Sequence, residues 1–349
     1  MSRARRARLD LDGLDGLLVT GQPNLRYLTG FTGSTGTLLL TAGGAVLAID
    51  GRYHERAARE CDPGVELLGA RDDRWLAARL PDEAALGLEA HTVPWARVSA
   101  LAELLPGVAL VAAGRRVETL REVKDAGELA AVRRACAITA EVLSSILTTL
   151  SPGPTERMVA RRVGDAFLDA GADGLAFPTI VAAGPGGAEP HHEPGSRPLA
   201  AGDLVTIDAG AAVDGYAADM TRTVALGAPP PALRAAYDAV RRAHRAARDT
   251  VADGVPACDV DAAAVAVLTD AGLGAAIAHP VGHGLGLAIH ESPILHGGQA
   301  ARLQAGMTVT VEPGVYLPGL GGVRIEDTVR VTEDGCEVLT PAPTDLIIR

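Results

Sequence analysis

Residues 203–226 read DLVTIDAGAAVDGYAADMTRTVAL, and this stretch decides the fold of the second half of the chain. Two apolar runs flank Asp214 and Gly215, a pair that marks a tight turn, so the runs are expected to fold back as a hairpin. Asp208 and Asp219, eleven residues apart, then come together on adjacent strands. Two solvent-facing strand aspartates are the alternative. The surroundings IDAG and ADMTR weigh against it, because a charge inside an apolar strand must find a partner.

Three more side chains of metal-binding type follow, each in a segment that reads as a strand or strand end. They are His283 in PVGHGLGLAIHE, Glu312 in TVTVEPGVY and Glu326 in VRIEDTVRV. Four carboxylates and one imidazole are too much negative charge for one cleft without compensation, since buried like charges repel. A pair of divalent cations resolves the conflict. Oxygen-rich ligands suit manganese, cobalt or zinc, and two neighbouring metals make a site for hydrolysis. Glycines on both sides of His283 let the backbone approach a site closely, and His290 reads as a second histidine of the same Gly-rich strand. For Glu326 an ion pair to Arg324 is the alternative, and strand alternation weighs against it. His191 and His192 follow Pro190 in a Pro/Gly-rich loop, where an ordinary polar loop is an equal reading.

Upstream, GLLVT, TGTLLLT, AVLAID, VELLGA, ALGLEA and VALVAAG read as strands, with HERAARECD and WARVSALAELL as helices between them. This is an α/β domain over residues 1–120. A long amphipathic helix is expected over residues 121–150, stopped by Pro152, Gly153 and Pro154, with Thr155 capping the next helix. Residues 121–349 then run strand, helix, helix, strand, as in an α+β domain.

The chain has 349 residues, enough for two domains, and 48% of them are apolar. With 3% aromatics, the core must be built from Ala, Val, Leu and Ile. A net charge of -11 argues against nucleic acid and anionic membranes as partners. Lys124 is the only lysine, which excludes most lysine chemistry elsewhere. Four cysteines without a C-x-x-C pair fit a reduced cytosolic protein. The start, MSRARRARLD, is basic, but the three Asp of LDLDGLDG occupy the place of an apolar stretch, so no signal peptide and no membrane span are expected.

The set IDAG, ADMTRT, GHGLGLAIHE, VEPGVY and VRIEDT resembles the "pita-bread" dinuclear metallopeptidases, and within them the proline-specific branch of prolidase and aminopeptidase P. NLRYLTGFTGS, DGRY and REVKDAGEL resemble the creatinase-type N-terminal domain and its junction helix. The resemblance implies an α/β creatinase-like N-terminal domain and an α+β pita-bread catalytic domain, usually paired as a homodimer. It implies that Asp208 binds one metal, that Asp219 and Glu326 bridge two, and that His283 and Glu312 bind the second. A hydroxide bridging the metals would be the nucleophile and Glu312 its proton relay. His191 and His290 would stabilise the oxyanion, Arg324 would orient the ligands, and Tyr316 would line the pocket. The implied activity is cleavage of the Xaa-Pro bond of dipeptides, with manganese the first choice of metal. The alternative is an aminopeptidase acting on longer Xaa-Pro peptides.

Two positions depart from the family pattern. Gly187 stands where relatives often carry Asn, which is expected to loosen its loop. Ile294 stands where several dipeptide-specific relatives place an Arg that holds the substrate's carboxylate. Arg52 in DGRYHERA, from the same chain or a dimer partner, and Arg302 are the candidate replacements.

Overall fold

A computed structural model describes residues 11–349. MSRARRARLD, where the signal-peptide expectation begins, lies outside the described residues. The chain divides into two compact units, one ending at Arg121 and one spanning Glu122–Arg349.

The first unit holds β1 (Gly16–Val19), α1 (Gln22–Thr29), β2 (Thr37–Thr41), β3 (Gly44–Ile49), α2 (His54–Glu60), β4 (Val65–Gly69), β5 (Ala85–Leu88), α3 (Trp95–Leu104) and β6 (Ala109–Ala112). All six expected strands are present, in one sheet of order β4-β3-β2-β1-β5-β6. β3 pairs with β4, and β5 with β6, in parallel, so each pair needs a crossover, which α2 and α3 supply. Leu18, Leu39, Leu76, Leu86 and Leu101 share a buried cluster. Helix α1 is a correction, since NLRYLTG carried no helical reading. Its signals were Pro23 in the first turn and Gly30 at the C-cap, where φ is 83°.

A second correction concerns the helix expected over residues 121–150. Two helices stand there, α4 (Arg116–Glu122) and α5 (Ala126–Thr149). The Asp125 carboxylate accepts from the amides of Gly127 and Glu128, and Glu128 accepts in return from the Asp125 amide. This capping box starts α5 afresh, so the apolar pattern ran through a real break. Thr155 caps α6 (Glu156–Asp169) as expected, its hydroxyl accepting from the Met158 amide.

The rest of the second unit is a set of small antiparallel sheets packed by helices. Its elements are β7 (Gly174–Leu175), β8 (Ile180–Ala183), β9 (Leu204–Ala209), β10 (Ala211–Val213), β11 (Tyr216–Ala217) and β12 (Met220–Ala225). Then come α7 (Pro231–Thr250), α8 (Ala257–Asp270), β13 (Gly282–Gly284), β14 (Glu291–Leu295) and β15 (Thr308–Val311). The chain closes with β16 (Gly314–Leu317), β17 (Gly321–Arg324), β18 (Asp327–Thr332) and β19 (Gly335–Val338). The sheets are β12-β9-β8, β11-β10-β7, β14-β13-β15-β18-β19 and the hairpin β16-β17. Helix α7 turns Leu233, Ala236, Tyr237, Val240, Ala243 and Ala247 inward, against Val309 and Val329. The scarcity of aromatics is met as expected, by alanine, valine and leucine. Among the described residues, no helix is long and apolar enough to cross a membrane.

Candidate metal centre and active site

The pairing of β9 with β12 sets Asp208 opposite Thr221 and Ala209 opposite Met220. Between them Asp214 and Gly215 have φ of 49° and 71°, the two positive values that a tight hairpin turn requires. Asp219, the residue before β12, therefore returns beside Asp208. Glu326 follows β17 by two residues, where its amide donates to the Thr221 carbonyl (3.1 Å) and its Oε2 accepts from the Thr221 hydroxyl (2.6 Å). Carboxylate oxygens of Asp208, Asp219 and Glu326 lie within 4.8 Å of one another. One oxygen of each, Asp208 Oδ1, Asp219 Oδ1 and Glu326 Oε1, is buried without a hydrogen-bond partner.

Such a group is costly to leave unpaired. Burial, then the charge of their carboxylate neighbours, pushes Asp219 and Glu326 well above the usual carboxylate range. Three buried carboxylates clustered in this way, each with one orphaned oxygen, are a donor set fit for divalent cations.

His283 and Glu312 complete the cluster. His283 Nε2 lies 3.2 Å from Glu312 Oε1 and 3.7 Å from Asp219 Oδ2. Its Nδ1 is 2.9 Å from the Gly284 carbonyl, which only accepts, so Nδ1 carries a proton and Nε2 faces the carboxylates. Burial alone would raise the Glu312 pKa, but the hydrogen bond and charge of His283 outweigh it and bring it to about 2. Gly282 lines the site cavity as expected, and strand packing also requires the glycines around His283. A Cβ on Gly282 would come 2.1 Å from the Thr310 carbonyl oxygen, and one on Gly284 would come 2.3 Å from that of Ser292. Gly284→Ala is thus expected to cost about 1–3 kcal/mol by overpacking. Thermal denaturation measures it, and an unchanged melting point would contradict the close approach.

Arg324 binds Asp208 rather than Glu326. Its Nη2 donates to Asp208 Oδ2 (2.5 Å), its Nε to the Thr221 hydroxyl (3.1 Å) and its Nη1 to the Tyr316 hydroxyl (2.8 Å). Alternation is not the reason, because residues two apart share a face. β17 instead ends at Arg324, and Glu326 falls in the break before β18.

The cluster floors a cavity of about 330 Å³. His191, His279 and His290 line it, with apolar walls from Phe177, Ile180, Ile289 and Ile294. Three expectations need correcting here. Tyr316 is not among the lining residues. It is buried behind them, accepting from Arg324 and lying 2.7 Å from His279 Nε2. His290 is not in a strand: it sits in the bend between β13 and β14, its ring 4.5 Å from that of His283. Nor is the loop at Gly187 loose. A Cβ there would meet the Gly322 amide nitrogen at 2.9 Å, so glycine permits a close approach to β17. Arg52 belongs to the first unit, where its side chain is 82% exposed and bonded to Asp50. Arg302 is exposed and donates to the Gly254 carbonyl.

His279 was missed. Its Nδ1 is 2.7 Å from the Pro280 carbonyl, so Nε2 is left to accept from Tyr316. The one signal was a second histidine four residues before His283. Lys124, the only lysine, is buried beside Glu291, 3.3 Å away. Glu291 in turn accepts the Ala288 amide and so braces the bend that carries His290.

Residues 130–333 match metallopeptidase family M24. The chain belongs to that family. Residues 3–123 match the creatinase/prolidase N-terminal domain, so the M24 catalytic domain has the pita-bread fold and the domain before it the creatinase fold. The chain is similar to the Xaa-Pro dipeptidase of Pyrococcus horikoshii, 31% identical over 97% of this chain and 96% of that one. Its structure superposes on the Xaa-Pro dipeptidase from Bacillus anthracis with a TM-score of 0.94 and 34% identity over 99% of each chain. The X-Pro aminopeptidase from Thermotoga maritima superposes with a TM-score of 0.89 and 28% identity over 100% of both. M24 membership also accounts for a divalent-metal donor set at this position.

Proposed function

We propose that this M24 peptidase is an Xaa-Pro dipeptidase that hydrolyses the bond before proline with two divalent cations. The observation that carries the reading is the cluster of three buried carboxylates, each with an orphaned oxygen, in a pocket lined by histidines and apolar walls. Asp208, Asp219, His283, Glu312 and Glu326 would hold the cations, manganese first and cobalt or zinc after it. When bound, they supply Lewis acidity that acidifies water at neutral pH and polarises the scissile carbonyl. Glu312 takes the water proton at its carboxylate and passes it to the leaving nitrogen. His191 and His290 donate ring N–H groups to the developing oxyanion. Arg324 holds the Asp208 carboxylate in place by donating to it, and Tyr316 fixes Arg324 in turn.

An Xaa-Pro amide has no N–H and its ring fixes φ, so an apolar slot that accepts the ring selects it. Phe177, Ile180 and Ile289 offer such a surface. The dipeptidase names of the Pyrococcus horikoshii and Bacillus anthracis relatives favour a dipeptide substrate. We further read the enzyme as a cytosolic homodimer, the commonest symmetry.

One observation favours the second reading, an aminopeptidase acting on longer peptides. Ile294 lines the pocket and offers no cation to a dipeptide's carboxylate. The test is hydrolysis of an Xaa-Pro dipeptide beside an Xaa-Pro-Xaa tripeptide by metal-stripped protein given manganese. Cleavage of the dipeptide alone supports the first reading, preference for the tripeptide supports the second, and cleavage of neither overturns proline specificity. Ile294→Arg is expected to shift the ratio at least about tenfold toward the dipeptide, since a hydrogen bond to a charged group contributes about 1.5–3 kcal/mol. Arg52→Ala, read on the same pair, tests whether that arginine already supplies the cation.

A further inference from the structure

We propose that Glu156 and His192 form a charged clamp that positions His191 for peptide cleavage. The proposal rests on the catalytic reading of His191 given above. The loop over residues 184–197 leaves β8 and closes at a backbone bridge between Thr155 and Pro198. One carboxylate gathers it. Glu156, with its side chain 1% exposed in the first turn of α6, accepts the Ala183 amide at Oε1 (2.9 Å). At Oε2 it accepts the Gly195 amide (3.0 Å) and faces His192 Nε2 (3.0 Å). Both ends of the loop and its middle are therefore held at one point.

His192 Nδ1 lies 3.0 Å from Glu189 Oε2. Both ring nitrogens face carboxylates, which only accept, so both must carry a proton. The imidazolium neutralises the buried Glu156, which would otherwise hold an uncompensated charge. The ring is also packed against its own loop, since a Cβ on Gly186 would come 2.9 Å from His192 Cε1. His191, the preceding residue, lines the pocket while His192 turns to Glu156. Any slack in the clamp is passed to His191 through a single peptide bond.

The charged groups around His192 are Glu156 from α6 and Glu189 from the loop. Arg197, near Glu156, is engaged by Asp203 through both terminal nitrogens. Burial opposes the charge on His192, but the two carboxylates outweigh it and hold its pKa above the ordinary histidine value. The clamp is thus complete below the ordinary histidine range and is lost as pH rises through the raised value.

The test uses the full-length, metal-loaded protein and three variants, H192F, H192Q and E156Q. Amide hydrogen exchange over residues 184–195 reads the clamp without any substrate, and kcat and KM are read on whichever peptide the parent cleaves. In H192F, exchange in this loop is expected to accelerate at least tenfold with metal content unchanged. Its kcat is expected to fall about 10–100-fold, the scale of a small misplacement of a catalytic group, with KM little affected. H192Q, whose amide still donates once to Glu156, should recover part of kcat and lose the parent's alkaline decline. E156Q, which presents a donor where donors already converge, should match H192F. Faster loop exchange with parental kcat would overturn the positioning role. Unchanged exchange, or a loss that only tracks global melting, would overturn the clamp. A parent that cleaves only peptides without proline overturns the proline reading alone, and one that cleaves no peptide overturns both.

Discussion

Asp219→Asn is expected to abolish peptide hydrolysis, by more than about a thousandfold, and also to raise the melting temperature of the metal-free protein. Both signs follow from the same orphaned oxygens. In the proposed reading the carboxylates are ligands of the bound cations, and losing one would remove charge stabilisation of several kcal/mol, where each 1.36 kcal/mol is about tenfold in rate. Without cations, Asp208, Asp219 and Glu326 are like charges buried within 4.8 Å of one another. Burial and repulsion raise the pKa of Asp219 and of Glu326 in the folded state. The folded form then binds more protons than the unfolded one. Metal-free stability therefore falls as pH rises from the ordinary carboxylate range through the raised values. Removing one charge relieves that cost, and each 1 kcal/mol gained shifts melting by about 2–4 °C for a unit the size of Glu122–Arg349. Metal content by mass spectrometry, melting with and without chelator, and hydrolysis form one experiment. A variant that keeps its metal, or whose metal-free form melts lower than the parent's, would sink the account.

The centre was legible because its parts are local. The Asp214–Gly215 turn and two apolar runs sufficed to bring Asp208 and Asp219 together, since hairpin pairing is fixed by neighbours in sequence. The six strands of the first unit among the described residues were readable as short apolar runs for the same reason. What failed was long-range or locally ambiguous. The capping box at Asp125 and Glu128 was written in the chain, yet the apolar pattern on either side hid the break. Tyr316 was expected at the pocket wall, but the strand it occupies carries it behind, to Arg324 and His279. Nothing in HPVGH separates His279 from an ordinary histidine until β13 and β16 bring their residues together. Lys124 and Glu291 lie 167 positions apart, and no periodicity connects such a pair. Glu156 is similar, for it reads as a helix-start acid and serves as the anchor of a loop 27 to 39 residues away.

His290→Ala is expected to lower kcat by about 10²–10³-fold, the usual consequence of removing one oxyanion donor, while KM and metal content change little. Burial, then the neighbouring charge of His283, pushes the His290 pKa below the ordinary histidine value. Near neutral pH its ring is thus uncharged and donates from one nitrogen only. It lies edge-on to His283, with ring centroids 4.5 Å apart, so it stands beside a proposed metal ligand and lines the cavity. A donor in that place is useful only where charge develops in the transition state, which is why the loss should fall on kcat. His290→Asn, which restores an N–H on a shorter side chain, should recover part of it. His191→Ala should cost a similar factor. If both histidines serve the same oxyanion, the double variant should lose less than the product of the two single losses, because groups that act as a unit are not additive. A loss confined to KM would make His290 a substrate-binding residue. A loss that follows metal content would make it a support for His283. Either result would remove it from the transition state.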